Sequence, residues 1–178
     1  MIKQNDRGNA VIARLNLAHA LLLRAERREG LTGIADIERA QGLFGALAGE
    51  LQRNPNPRLL AILQRHQAEL LRLKGERHAD RALGFVDLKA AFETYQKVLP
   101  VTSKETAPND WAMLCAEMAY TLVAALPLLD DGDRRTSGKN AVSLFGLARP
   151  YLVAGGFGQD LERLDIALTT ARRAAGDL

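Results

Sequence analysis

Three histidines, a single cysteine and a few acidic clusters carry whatever chemistry this chain offers. His66 and Glu69 are spaced i, i+3, which puts an imidazole and a carboxylate on one helical face, where they could share a proton or a divalent metal. A metal centre needs a third or fourth ligand and groups behind those ligands. The neighbouring sequence supplies neither, so no metal is expected, and a helical metal-binding protein or enzyme around His66 and Glu69 is the least favoured reading. Cys115 stands alone, which excludes an intrachain disulfide and a cysteine-based zinc site. It lies in an apolar helix, where a thiol is buried and inert. Asp130, Asp131 and Asp133 imitate the start of a calcium loop, but Arg134 and Arg135 follow and no Glu closes it. The glycine-rich stretch 154–158 lacks the lysine and the preceding strand of a phosphate loop. With no triad, paired-carboxylate or nucleotide motif, no catalytic residue, cofactor site or enzymatic activity is expected.

The elements that must position these residues are helices. The chain has 178 residues, 47% hydrophobic and 25% charged, which is the balance of one globular domain over 1–178. Ala and Leu dominate while β-branched and aromatic residues are sparse, a mix that favours helix over strand. The net charge of +3 and a pI near 9.2 are mildly basic. That keeps a nucleic-acid-associated or regulatory helical protein as the alternative, but acidic residues interleave the arginine clusters, as on solvated faces rather than a phosphate track. The polar start MIKQNDRGNA has no apolar signal core. The longest apolar run, Leu122 to Leu129, is eight residues against the roughly 20 a membrane span needs. The expectation is a cytoplasmic protein with no membrane contact.

Caps and breakers divide the chain into seven helices. The first starts at a cap between Asp6 and Asn9, runs along Val11, Leu15, Ala18, Leu22 and Ala25, and stops at Gly30. Thr32 caps the second, which carries Gly42, Gly45 and Gly49 and ends at the NPNP segment, 54–57. Asn56 caps the third with Pro57 at its first position, and Gly75 ends it. The fourth spans about Leu83 to Leu99 and closes at Pro100. Pro108 opens the fifth, with Pro127 near its end. Residues 130–140 read as a loop by composition, the sixth helix starts near Lys139 with Pro150 inside or ending it, and Asp160 caps the last.

The odd and even helices repeat at one spacing. Ala18, Ala68 and Ala119 align at offsets of 50 and 51, and Leu21, Leu71 and Leu122 move with them. Ala40, Ala91 and Ala141 align at 51 and 50, each followed four residues later by an aromatic: Phe44, Tyr95 and Phe145. Pro100 and Pro150 follow Tyr95 and Phe145 by five residues. A small residue lets the two helices of a hairpin approach, and a ring one turn on fills the space between hairpins.

These positions resemble the tetratricopeptide repeat family of bacterial type, most closely over 83–126, where LKAAFETYQKVLPVTSKETAPNDWA places Asp110-Trp111-Ala112 at the opening of a repeat. The unit here is 50–51 residues, against about 34 in that family. The resemblance implies an all-α, right-handed superhelix of three antiparallel hairpins, about 9–54, 57–99 and 108–154. A capping helix at 160–175 would place Leu161, Leu164, Ile166 and Leu168 over the end of the stack. It also implies a scaffold that binds a protein or peptide partner on a concave face lined by the first helix of each hairpin. Carried onto this chain, that face holds Leu15, His19 and Leu22, then Arg65, Glu69 and Arg72, then Ala116, Tyr120 and Val123. Arg65 and Arg72 would grip a partner carboxylate, since a guanidinium offers a fork of donors matched to it. His19 and Tyr120 would flank it, and Glu69 would complete the charged stripe.

Overall fold

Seven α-helices and two short 3-10 turns, with no strand, make up the described residues of the computed structural model. The backbone is described for 2–28 and 30–177, and the side chains for 8–28 and 33–177. The helices are α1 (Ile2–Glu26), α2 (Gly30–Arg53), α3 (Pro57–Arg77), α4 (Arg81–Val98), α5 (Pro108–Ala125), α6 (Asp131–Ala154) and α7 (Gly158–Ala175). The 3-10 turns Leu99–Val101 and Leu126–Leu128 extend α4 and α5, each with its proline inside the turn.

Local chemistry explains the starts. The Leu59 amide donates to Asn56 Oδ1 at 3.1 Å, with Pro57 at the first helical position. Asp80 caps α4 through the amides of Ala82 and Leu83. The acidic segment expected to be a loop is helix: Asp130 accepts from the Asp133 amide at 2.9 Å, so α6 begins at Asp131, about two turns before Lys139. Asp131 and Asp133 then sit in the first turn, where the helix dipole favours anions. Composition marked this segment as a loop, and one side-chain cap overrode it.

Other expected boundaries also shift. Backbone helix covers Asp6 and Asn9, and α2 begins at Gly30 with Thr32 inside it. Asp160 lies in the first turn of α7 rather than capping it. α3 passes through Gly75 to Arg77. Gly75 serves a close crossing instead: a Cβ there would lie 2.8 Å from the Gly84 carbonyl and 2.7 Å from Leu88 Cγ on α4. Gly138 on α6 faces the α7 backbone in the same way, 2.8 Å from the Ala171 carbonyl. The later glycines of α2 meet no such neighbour among the described residues, where nothing lies within 4 Å of a Cβ built on Gly42, Gly45 or Gly49.

Sequence neighbours pair closely, α1 with α2, α3 with α4, α5 with α6, and α6 with α7. Between pairs, α2 meets α3 and α4 meets α5, while the odd helices touch in series, α1 with α3, α3 with α5 and α5 with α7. The core follows this order as three linked clusters. α1 and α2 share the first with Leu63, Leu70 and Leu73 of α3. Ala68 of α3, Tyr95 and Val98 of α4, and Leu114 and Met118 of α5 build the second. The rest of α5 joins α6 and α7 in the third. α3 and α5 are therefore apolar on more than one face. The segment Pro108–Leu128 is long and apolar enough by length and composition to cross a membrane, and half of it is buried within the protein.

All six aligned alanines are fully buried, and Phe44, Tyr95 and Phe145 are among the largest fully buried side chains. In α7, Leu164 and Leu168 are buried, whereas Ile166 is 68% exposed on the outer side. The arginine clusters do more than solvate faces. Arg77 donates to the Ala25 and Arg28 carbonyls at the end of α1, Arg134 to those of Leu126 and Leu129, and Arg135 to that of Ala175. They supply donors that helix C-termini lack.

Two predictions follow from this packing. Gly42→Ala and Gly45→Ala should each stabilise the protein by about 0.4–1 kcal/mol, while Gly138→Ala should cost about 1–3 kcal/mol by overpacking the α6–α7 crossing; urea unfolding midpoints measure both. Tyr95 has a buried hydroxyl with no hydrogen-bond partner among the described residues. Tyr95→Ala should therefore cost about 3–5 kcal/mol for the lost ring, whereas Tyr95→Phe should stay within about 1 kcal/mol of the native protein or exceed it.

Candidate functional site

Charged residues from all four odd helices meet in a shared polar seam. Glu26 comes from α1, Arg72 from α3, Glu117 from α5 and Arg163 from α7. Arg72 Nη2 lies 3.1 Å from Glu26 Oε1, and Arg72 Nη1 lies 2.7 Å from Glu76 Oε1. Arg163 Nη2 reaches the same Glu26 oxygen at 2.9 Å, so the first and last helices of the chain meet through one carboxylate.

Arg72 is only 3% exposed. Burial by itself would discharge it, but Glu117, Glu76 and Glu26 more than compensate and hold its pKa well above the ordinary value. Glu117 is served less well. Burial pushes its carboxyl pKa up, and Arg72 only partly opposes this. The geometry explains the asymmetry: Arg72 Nε and Glu117 Oε2 stand 3.6 Å apart, and neither atom has a hydrogen-bond partner among the described residues.

Three of the five residues expected to bind a partner are used internally. Arg72 is enclosed by carboxylates of its own chain, so its fork of donors does not face an open surface. The ring of Tyr120 is covered by the Arg163 guanidinium at 4.3 Å and meets Phe145 edge-on at 5.2 Å. Glu69 accepts from or shares a proton with His66 Nδ1 at 3.1 Å and lies 3.9 Å from His19 Nε2. Burial opposes its ionisation, yet the His66 hydrogen bond and the nearby cationic groups keep its pKa below the ordinary carboxylate value. Leu15, Leu22 and Ala116, placed on the inner face by the resemblance, are buried in the core.

The other two, His19 and Arg65, open onto a groove of about 820 Å³ between the first half of α3 and the segment leading into α5. Its walls mix apolar residues (Ile62, Val98, Val101, Leu114) with polar ones (Arg58, His66, Thr102, Ser103, Asp110). Arg65 is 29% exposed and, among the described residues, has only a long pairing, 3.9 Å, to Asp110. Arg58 and His66 were not singled out for this surface from the sequence. A signal for Arg58 existed, because Arg58, Arg65 and Arg72 recur every seven residues and so share a helical face. His66 and His19 stack with centroids 4.2 Å apart, and Phe44 lies parallel to His66 at 6.1 Å.

Cys115 is fully buried, and burial raises its thiol to about 11, which leaves it protonated and unreactive at neutral pH. Comparison with protein-family models, curated proteins and solved structures returns no match.

Removing the buried cation should expose the cost of the seam. Arg72→Ala leaves Glu26, Glu76 and Glu117 without their shared partner and should destabilise the protein by about 3–5 kcal/mol. Arg163 is 40% exposed at its side chain, and Arg163→Ala should cost no more than about 1 kcal/mol. Paired urea titrations of the two variants measure the difference.

Proposed function

We propose that this protein is a non-enzymatic interaction module, a tetratricopeptide-like array of helical hairpins that binds a protein or peptide segment at the groove beside Arg65. The observation that carries the reading is that groove: an open, mixed polar and apolar channel with an accessible guanidinium that has no strong internal partner among the described residues. The serial contact of odd helices and the buried alanines and aromatics at a 50–51 residue spacing support a right-handed stack of three hairpins capped by α7.

On this reading the partner lies across the N-terminal half of α3 in extended or helical form. Its apolar side chains contact Ile62 and Val101, and a carboxylate is held by Arg65, with the exposed Arg58 one further contact along the same face. The polar seam behind the groove holds the odd helices in register and is not itself the contact surface. His19 provides a flat ring at the inner wall.

The test begins with capture of partners on the immobilised full chain and identification of the bound segment. The double variant Arg58→Ala, Arg65→Ala, with a native circular dichroism spectrum and unfolding midpoint, should then bind that segment about tenfold or more weakly, as expected for loss of a charge-assisted hydrogen bond. Affinity unchanged within about twofold in the folded double variant would remove the groove as the binding site.

A further inference from the structure

We propose that His19, His66 and Glu69 form a binding site for a divalent first-row transition ion, zinc being the best fit, that staples α1 to α3. The sequence shows only the His66–Glu69 pair. The fold adds the third ligand from another helix, 47 residues before His66. One ligand atom from each of the three residues, two imidazole nitrogens and a carboxylate oxygen, lies within 4.8 Å of the others. His66 Nδ1 is 3.1 Å and His19 Nε2 is 3.9 Å from the same Glu69 oxygen. Zinc bonds to nitrogen and oxygen are about 2.0–2.2 Å, so two ligands on one tetrahedral ion stand about 3.4 Å apart. The two separations to Glu69 bracket that value, and the third, between the imidazole nitrogens, lies within 4.8 Å; the stacked His19 and His66 rings must turn for their nitrogens to converge on one ion.

All three side chains are partly rather than fully buried, and His19 and His66 line the groove, so an ion has a route in. Arg65, on the groove wall, adds a repulsive charge near the ion and would equally draw an anionic fourth ligand to the coordination position left by three protein ligands. Two nitrogens and one oxygen with an open fourth place match zinc better than calcium or magnesium, which prefer all-oxygen shells.

The binding step involves no partner protein, so its failure leaves the groove reading standing and its success does not prove it. The experiment uses the tag-free full chain, stripped with chelator and titrated calorimetrically with zinc. One equivalent should bind, the thermal midpoint should rise with added zinc, and cobalt should give the visible absorption of a tetrahedral site. His19→Ala and His66→Ala should each weaken binding by more than about tenfold and abolish the cobalt signal. His78, whose Nε2 lies 3.2 Å from Asp87 Oδ2 elsewhere on the chain, supplies the control: His78→Ala should bind zinc as the native protein does. Absence of a stoichiometric site in the native chain would overturn the proposal without recourse to any variant. So would native-like zinc affinity in folded His19→Ala or His66→Ala.

Discussion

The burial of Arg72 among Glu26, Glu76 and Glu117 is the constraint on which the arrangement of helices depends. A guanidinium with 3% exposure is tolerated only where opposite charges surround it, and those charges come from three helices. α1, α3 and α5 are thereby fixed against one another along the seam, and Arg163 adds α7 through the oxygen of Glu26 that Arg72 also uses. Apolar clusters also link successive pairs, Leu63, Leu70 and Leu73 of α3 with α1 and α2, and Leu114 and Met118 of α5 with α3 and α4, and they supply most of the burial. Ion pairs of this kind add little net stability, because desolvation offsets most of the Coulomb gain.

The hairpins themselves rest on volume. Alanine at 18, 68 and 119 and at 40, 91 and 141 is fully buried, and Ala40, Ala91 and Ala141 are each followed one turn later by a fully buried ring, Phe44, Tyr95 or Phe145. Gly75, Gly84 and Gly138 carry the same logic to its limit, with backbones too close for any Cβ. Where α3 and α5 lie between two neighbours, they need apolar residues on two faces. In α3, Leu63 and Leu70 face one cluster while Ala68 faces the next, because two residues turn a helix by about 200°.

The seam and the groove share α3, with Arg72 in the first and Arg58, Arg65 and His66 lining the second. Along the seam the chain satisfies its own charges, and Tyr120 and Arg72 are consumed in doing so. Toward the start of α3 and the segment leading into α5, His19, His66 and Arg65 line an open groove. Against the opposing effect of burial, the His66 hydrogen bond keeps the Glu69 pKa below the ordinary carboxylate value.

Much of the helical framework was legible in the residues alone. Asn56 with Pro57 marks a helix start because a cap and a fixed φ act within a few residues, and the aligned alanines and aromatics reveal buried positions because helical periodicity is local. The start of α6 was hidden by a composition typical of loops, although Asp130 needs only the amide three residues on to cap it. The pairing of charges between helices lay beyond sequence reasoning, although local pairs such as His66 with Glu69 did not. Whether Arg72 faces water, a partner or three carboxylates depends on what α1 and α5 bring opposite it, and periodicity says which face a residue occupies but not what stands across from that face. His19 joined His66 and Glu69 for the same reason. The sequence by itself determined the helices and their small-and-large packing code, because those follow from interactions within a few turns. Only the tertiary structure decided which charges are spent inside the fold and which remain exposed, because that requires residues far apart in the chain to be placed against one another.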